Sequence, residues 1–388
     1  MTNRIIVLAP HAFLPPKDGA DRRAWHLFEA MAAGGLSATF IARTAVVLSG
    51  APPVPHSPNL SWRDHKDIAA LAALVTGKDY WELKMLRPGV WRALNQAIVT
   101  PFDTVMVNFL YATPLLKRIP KPYRLLVDTH NYDPGCFKAL AEAASNPILR
   151  VLCRRAAANS VRVLAKLPMG TVMVHVSQRD ADLYRRHRPD LNHVVVENGT
   201  SIKPRSQAPD YAAGKKRALM FVGSLSAKMN QDALAHFARH FWPRLRKIAE
   251  FRVVGSLPPN QVRSLCSQEG WKLFESVSDE QLDRLYEQAH FAVLPFAYGE
   301  GSKLKLLEAC GHGVPVIATS AGAVGVLHLP SMVTVSDEVD AWSARIACRE
   351  QLTEQAVTES LRFASNYTWE NLAAKMINLV RLSEPIEL

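Results

Sequence analysis

The chain has 388 residues, 48% of them apolar and 21% charged, with a formal net charge of +11. That length exceeds one comfortable hydrophobic core and calls for two domains, and the composition excludes a disordered protein. No stretch nears the ~20 continuous apolar residues of a membrane span, and the scattered Cys136, Cys153, Cys266, Cys310 and Cys348 lack metal-ligand spacing, as reduced thiols of a cytosolic protein would.

The opening MTNRIIVLAPHAF has too short an apolar run for a secretory signal and reads as a first strand over residues 4–9. A helical period follows over 20–33, then a strand at 38–42 and a less regular region to about residue 100. Strands are predicted at 104–109 (TVMVNF), 124–128 (RLLVD), 171–176 (TVMVHV) and 194–198 (VVVEN), with helices over 137–165 and 178–187. These strands are Val/Ile/Leu-rich without alternation, as in parallel sheets covered on both faces. Residues 199–216, GTSIKPRSQAPDYAAGKK, lose all periodicity and mark a domain boundary. The alternation then restarts, with strands at 218–222, 251–255, 271–275, 291–295 and 314–319, and helices at 231–248, 279–288 and 303–312. A last amphipathic helix spans 369–382. The fold class is α/β, with two Rossmann-like doubly wound parallel-sheet domains facing a cleft.

The chemistry concentrates in PFAYGEGSKLKLLEACGHGVPVIAT, residues 295–319. A buried strand ends at Pro295, a glycine-bearing turn carries Glu300 and Gly301, and a helix opens near Ser302. Free N–H groups at such a helix start favour an anion. Lys303 and Lys305 add positive charge at the same end, which costs stability unless an anionic ligand offsets it. Glu300 and Glu308 suit paired hydrogen bonds from sugar hydroxyls. The plainer reading is a solvated helix start rich in Glu and Lys.

This stretch resembles the donor-site signature of glycosyltransferase family 4, the GT-B group 1 retaining transferases. The resemblance implies that Glu300 sits at the donor sugar, that Glu308 binds the nucleotide ribose and that Lys303 and Lys305 approach the diphosphate. Ser302 and Lys303 stand where the more usual pattern has Phe-Gly after the first Glu. FVGSLSAKMNQDALAHF resembles the opening of the family's C-terminal domain. Gly223 takes the turn there, and with Ser224 in place of the usual Arg, Lys228 is left as the phosphate contact. PPKDGADRRAWHLFEAM resembles the first loop, with Gly19 at the loop position, and LLVDTHN places His130 at a strand end near the reacting sugar. His175 and His193 carry no such support and read as structural, and Asp128 reads as a group that orients its neighbours.

The resemblance covers nearly the whole chain. It implies an acceptor-binding domain over 1–200, a sugar-nucleotide-binding domain over 201–368 and a helix over 369–388 returning to the first. It further implies sugar transfer from a nucleotide-diphosphate sugar to a hydroxyl acceptor with retention, without metal or other cofactor. G-x-S-x-G and G-x-x-x-x-G-K-[ST] are absent from the sequence, which argues against a serine hydrolase and a P-loop kinase. An epimerase, hydrolase or inverting enzyme of the same fold, a non-catalytic relative and a basic RNA-binding protein remain as alternatives.

Two basic runs point to an anionic membrane surface as a further partner. In ILRVLCRRAAANSVRVLAKLP the reading puts Ile148, Val151, Leu152 and the alanines on one side and the arginines on the other. YWELKMLRPGVWRAL mixes Trp81 and Trp91 with Lys84, Arg87 and Arg92. From these runs comes the expectation of a cytoplasmic enzyme, peripheral on the inner membrane face, acting on a lipid-linked or cell-envelope polysaccharide acceptor. No nucleic-acid motif is present.

Overall fold

The computed structural model describes the chain except residues 1–3, 15, 17–18, 44, 56–65, 86–87, 99–101, 122, 145, 207–215, 257, 299–303, 327, 349–352 and 383–388. It divides into two compact units, Met1–Glu197 with Glu370–Leu388, and Asn198–Trp369.

The first unit runs β1 (Arg4–Ala9), α1 (Gly19–Ala33), β2 (Ser37–Ala42), β3 (Ala45–Leu48), β4 (Val54–Pro55), α2 (Lys66–Thr76), α3 (Tyr80–Met85), α4 (Pro88–Ala97) and β5 (Thr104–Asn108). A 3-10 helix (Leu110–Arg118) leads to β6 (Arg124–Asp128), α5 (Asp133–Ala143), α6 (Pro147–Ala165), β7 (Val172–His175), α7 (Gln178–Arg185) and β8 (Asn192–Val195). The sheet order is β4-β3-β2-β1-β5-β6-β7-β8. From β2 to β8 the pairing is parallel, while β3 and β4 add an antiparallel edge. Ile6, Leu8, Val105, Val107, Leu125 and Val127 are buried in one core cluster. Their strand neighbours Ile5, Val7, Met106 and Leu126 are buried as well, so both faces are covered.

The second unit runs β9 (Arg217–Val222), α8 (Lys228–His240), α9 (Trp242–Leu245), β10 (Ala249–Gly255), α10 (Asn260–Glu269), β11 (Lys272–Glu275), α11 (Asp279–Glu287), β12 (Phe291–Leu294) and α12 (Leu304–Gly311). It closes with β13 (Val316–Ala318), β14 (Val333–Val335), α13 (Val339–Ala347) and α14 (Glu354–Ser365). All pairings in its β11-β10-β9-β12-β13-β14 sheet are parallel. The final helix, α15 (Trp369–Leu382), groups from Glu370 onward with the first unit, burying Leu372, Met376 and Val380. The arrangement is α/β with two Rossmann-like doubly wound units.

Several boundaries depart from the sequence reading for local reasons. The region before residue 100 carries a β-hairpin and three helices, and the hairpin escapes notice because its strands are short and proline-flanked. The predicted helix over 137–165 is two helices. Asn146 accepts from the N–H groups of Ile148 (2.9 Å) and Leu149, capping a new helix that has Pro147 in its first turn. The helix over 231–248 likewise splits at Phe241, with Pro243 in the first turn of α9. The described part of the domain boundary is packed rather than loose. The N–H groups of Lys203 and Arg205 donate to the Gly311 and His312 carbonyls at the end of α12 (3.0 and 3.2 Å).

The two basic runs also need correction. On α6 the buried residues are Leu152, Cys153, Ala156, Ser160 and Leu164, whereas Ile148 and Val151 face outward. They lie on the stripe that also carries Arg155, Ala158 and Arg162, so apolar and basic residues share one face. Trp81 packs on Phe137 with centroids 4.5 Å apart, and Trp91 lies half-buried with Arg118 over its ring. Neither forms an exposed aromatic belt.

Candidate functional site

Both sheets reverse their strand order once, between β1 and β5 and between β9 and β12. In open parallel sheets the strand C-terminal ends beside such a reversal are where ligands bind.

In the second unit this position holds several of the predicted residues. β9 runs into Gly223, and β10 ends at Gly255, where a Cβ would fall 1.9 Å from the Gly223 carbonyl oxygen. Only a residue without a side chain lets these strand ends approach so closely. A Cβ on Gly223 would lie 2.7 Å from Lys305 Cε and 2.9 Å from Asn230 Nδ2. The Lys305 stem therefore crosses the glycine turn. Its ammonium lies 5.9 Å from the Phe221 ring centroid and 5.5 Å from that of Phe296, bringing the ends of β9 and β12 together under one cation. Asn230 braces the turn by donating to the Ser224 carbonyl (2.7 Å). Glu308 stands on the same side of α12 as Lys305, at i, i+3 spacing, and is half-buried.

Lys228 is placed differently. It starts α8 and forms an ion pair with Asp232, whose other oxygen accepts from the Tyr298 hydroxyl at 2.5 Å. The Lys228 charge is thus already shared with an acid. Glu300, Gly301, Ser302 and Lys303 lie outside the described residues.

In the first unit Gly19 begins α1, and one turn later Arg23 points into the protein. The guanidinium is fully buried and grips Asp128 in a fork, Nε to Oδ2 at 2.9 Å and Nη2 to Oδ1 at 2.8 Å, while Nη1 donates to the Glu197 carbonyl at 2.7 Å. Asp128 ends β6 opposite Asn108, the last residue of β5. Just beyond them Phe109 (φ 69°) and His130 (φ 46°) take positive φ, a backbone region that residues with a side chain rarely adopt. Their rings stack with centroids 4.3 Å apart, and His11, following β1, meets His130 edge-on at 5.5 Å. Two residues at positive φ on adjacent strand ends make this the candidate position in the first unit.

The tautomer of His130 follows from its neighbours. Asn108 Nδ2 donates to the Leu8 carbonyl (3.3 Å), which turns Oδ1 toward the imidazole. His130 Nε2, 2.8 Å from that oxygen, must carry the hydrogen, leaving Nδ1 with the lone pair. Burial, then the charges of His11 and Arg23, holds the imidazole well below the ordinary histidine range. The ring is neutral, so its 3.5 Å approach to Asp128 is not an ion pair.

A second neutral histidine chain lies behind it. The Arg188 carbonyl can only accept, so His193 Nε2 (2.8 Å) donates, and His193 Nδ1 accepts from His175 Nε2 (2.9 Å). His175 Nδ1, left with the lone pair, lies 3.1 Å from the Thr129 hydroxyl, which also reaches the Val174 carbonyl at 3.1 Å. Burial first, then His193, pulls His175 down to about 3 from 6.5. The unfolded chain takes up this proton first, so the stabilisation is complete above pH 6.5 and is lost as pH falls toward 3. His175→Gln is expected to flatten that acid loss relative to the parent in urea melts taken from pH 7 to 4. Asp133, raised by burial, has the opposite sign but is common to both proteins. Parallel stability curves would refute the assignment.

Arg23, Asn108, Phe109 and Phe296 escaped the sequence reading. Arg23 left one signal, a charge on the stripe of Leu27 and Met31, both buried.

Residues 216–348 match the family model described as glycosyl transferases group 1. A comparison with curated proteins returned no match. Among solved structures, the chain is similar to a sucrose-phosphate synthase from Thermosynechococcus elongatus, at 14% identity and TM-score 0.64, over 98% of both chains. WaaG, a glycosyltransferase involved in lipopolysaccharide biosynthesis, matches at 15% identity and TM-score 0.62, over 97% of this chain and 99% of its own. A trehalose-6-phosphate structure from E. coli bound with UDP-2-fluoro glucose matches at 12% and 0.63, over 99% of this chain and 100% of its own. At these identities the likeness speaks to the fold.

Proposed function

We propose that this chain, a group 1 glycosyltransferase of GT-B type, moves a sugar from a nucleoside-diphosphate sugar to a hydroxyl acceptor with retention at the anomeric carbon. The observation that carries the reading is Lys305, held across Gly223 at the strand reversal of the unit that matches the family. In this reading the second unit binds the sugar nucleotide. Lys305, the start of its helix and Lys303 meet the diphosphate, and Glu308 accepts hydrogen bonds from the ribose. Lys228, already paired, is a weaker phosphate contact than Lys305. Glu300 is assigned to the donor sugar. The first unit binds the acceptor, and His130 offers Nδ1 as a hydrogen-bond acceptor to a sugar hydroxyl.

Charge developing on the leaving diphosphate would be stabilised by fixed cations and backbone N–H groups, with no role given to a metal. The acceptor is proposed to be a lipid-linked or envelope-polysaccharide intermediate at the cytoplasmic face of a membrane.

A thermal-shift screen against UDP, GDP, dTDP, CDP and ADP tests the donor assignment, because a ligand that binds only the folded state raises the melting temperature. One of them is expected to do so at micromolar concentration, and no shift with any would sink the reading. Glu308→Gln is expected to weaken that nucleotide by about 1.5–3 kcal/mol, roughly 10- to 150-fold, with the fold intact. Unchanged affinity in calorimetry would remove Glu308 from the site.

A further inference from the structure

Helix α2 turns most of its large apolar residues outward, with Leu74 alone among them packed partly inward. Ala69 and Ala73 face the protein and are fully buried, whereas Ile68, Leu71 and Val75 are 47%, 62% and 78% exposed. Their spacing puts the three large residues on one outward stripe. A helix that serves only the core turns its large apolar residues inward, since each buried one stabilises by about 1.5–3 kcal/mol. The other side of α2 meets α3 and α6 through Ala73, Leu83 and Leu152. On α6 the outward stripe again begins apolar, with Ile148 and Val151 exposed, and continues through Arg155 and Arg162. Across its 19 residues α6 has four arginines and no acid. Arg150 is spent on the Ala144 carbonyl (2.9 Å), while Arg154, Arg155 and Arg162 are exposed and in no ion pair among the described residues.

We propose that the outward faces of α2 and α6 form a membrane-docking surface that takes anionic lipid. The inference rests on the membrane-side placement proposed above and names the surface responsible. Aliphatic side chains from α2 and the start of α6 enter the headgroup boundary, and the arginine heads remain at the lipid phosphates. The basic charge selects this occupant over a second copy of the chain. A two-fold contact through the same patch would set the α6 arginines against their own symmetry mates.

The test is sedimentation of the full chain with vesicles of phosphatidylglycerol and phosphatidylcholine against phosphatidylcholine alone. Pelleting is expected only with the anionic vesicles and is expected to fade as salt is raised. The triple variant Ile68→Ser, Leu71→Ser, Val75→Ser and the double variant Arg155→Glu, Arg162→Glu should each lower the partition coefficient by about 10-fold or more. Both are expected to melt no lower than the parent, because the replaced side chains face outward. If the triple variant fails to fold, the arginine pair carries the result. Equal pelleting with neutral vesicles, none with either, or a parent dimer that the triple variant dissociates would each overturn the proposal. Nucleoside-diphosphate binding by the same variants should be unchanged, so loss of vesicle binding with retained nucleotide binding separates this surface from the donor site.

Discussion

Lys305→Ala is expected to lower turnover about 10²–10³-fold, the range found when one preorganised group that stabilises developing charge is removed. The side chain is held in advance. Its stem lies across Gly223, and its ammonium sits over Phe221 and Phe296 at the ends of β9 and β12. Little reorganisation is then needed when a diphosphate arrives. The effect on folding should be small because two terms oppose each other. A cation in the first turn of α12 works against the helix dipole by about 0.3–1 kcal/mol. Its placement over two rings returns about 0.5–1 kcal/mol. The melting temperature should move little, while nucleoside-diphosphate affinity and turnover both fall. Lys305→Arg keeps the charge but not the stem geometry over the glycine, and partial recovery is expected. Steady-state kinetics with the nucleotide sugar that the thermal-shift screen selects supplies the measurement. A variant that melts several degrees lower yet turns over at the parent rate would make Lys305 a structural residue.

The central strands were legible because burial on both faces leaves an unbroken apolar run, as in RIIVLA and RLLVD, and no alternation has to be detected. The second-unit candidate stood out in the sequence because a lysine in the first turn of a helix contradicts local electrostatics and so asks for a ligand. The rest depended on partners far apart in sequence. The tautomer of His130 is set by Asn108, 22 positions away, and the grip on Asp128 comes from Arg23, 105 positions away. No local pattern announces either contact. Helix α6 misled in another way. Periodicity groups the large apolar residues on one side, which put Ile148 and Val151 with Leu152, whereas they face outward beside Arg155 and Arg162.

Arg23→Ala is expected to destabilise the first unit by about 3–5 kcal/mol, the cost of leaving a buried charge without its partner. For a unit of roughly 200 residues this lowers Tm by about 6–20 °C. Asp128 is fully buried, and two of the guanidinium nitrogens hold both of its oxygens. The third nitrogen donates to the carbonyl of Glu197, whose carboxylate meets Lys375 of α15 at 2.9 Å. One side chain thus joins α1, the end of β6 and the segment where the chain leaves this unit. Asp128→Ala should cost a similar amount, since the guanidinium is then left buried. The paired replacement Arg23→Met with Asp128→Leu is expected to recover much of the loss, because apolar side chains of similar size need no compensating charge. The double variant should nevertheless turn over poorly, as Asp128 and its neighbours no longer fix the strand end that carries His130. Thermal and urea melts of the two single variants and the double variant give the coupling energy directly. If Arg23→Ala melts within 1 °C of the parent, water or a proton already satisfies Asp128, and the ion pair is not what holds the site together.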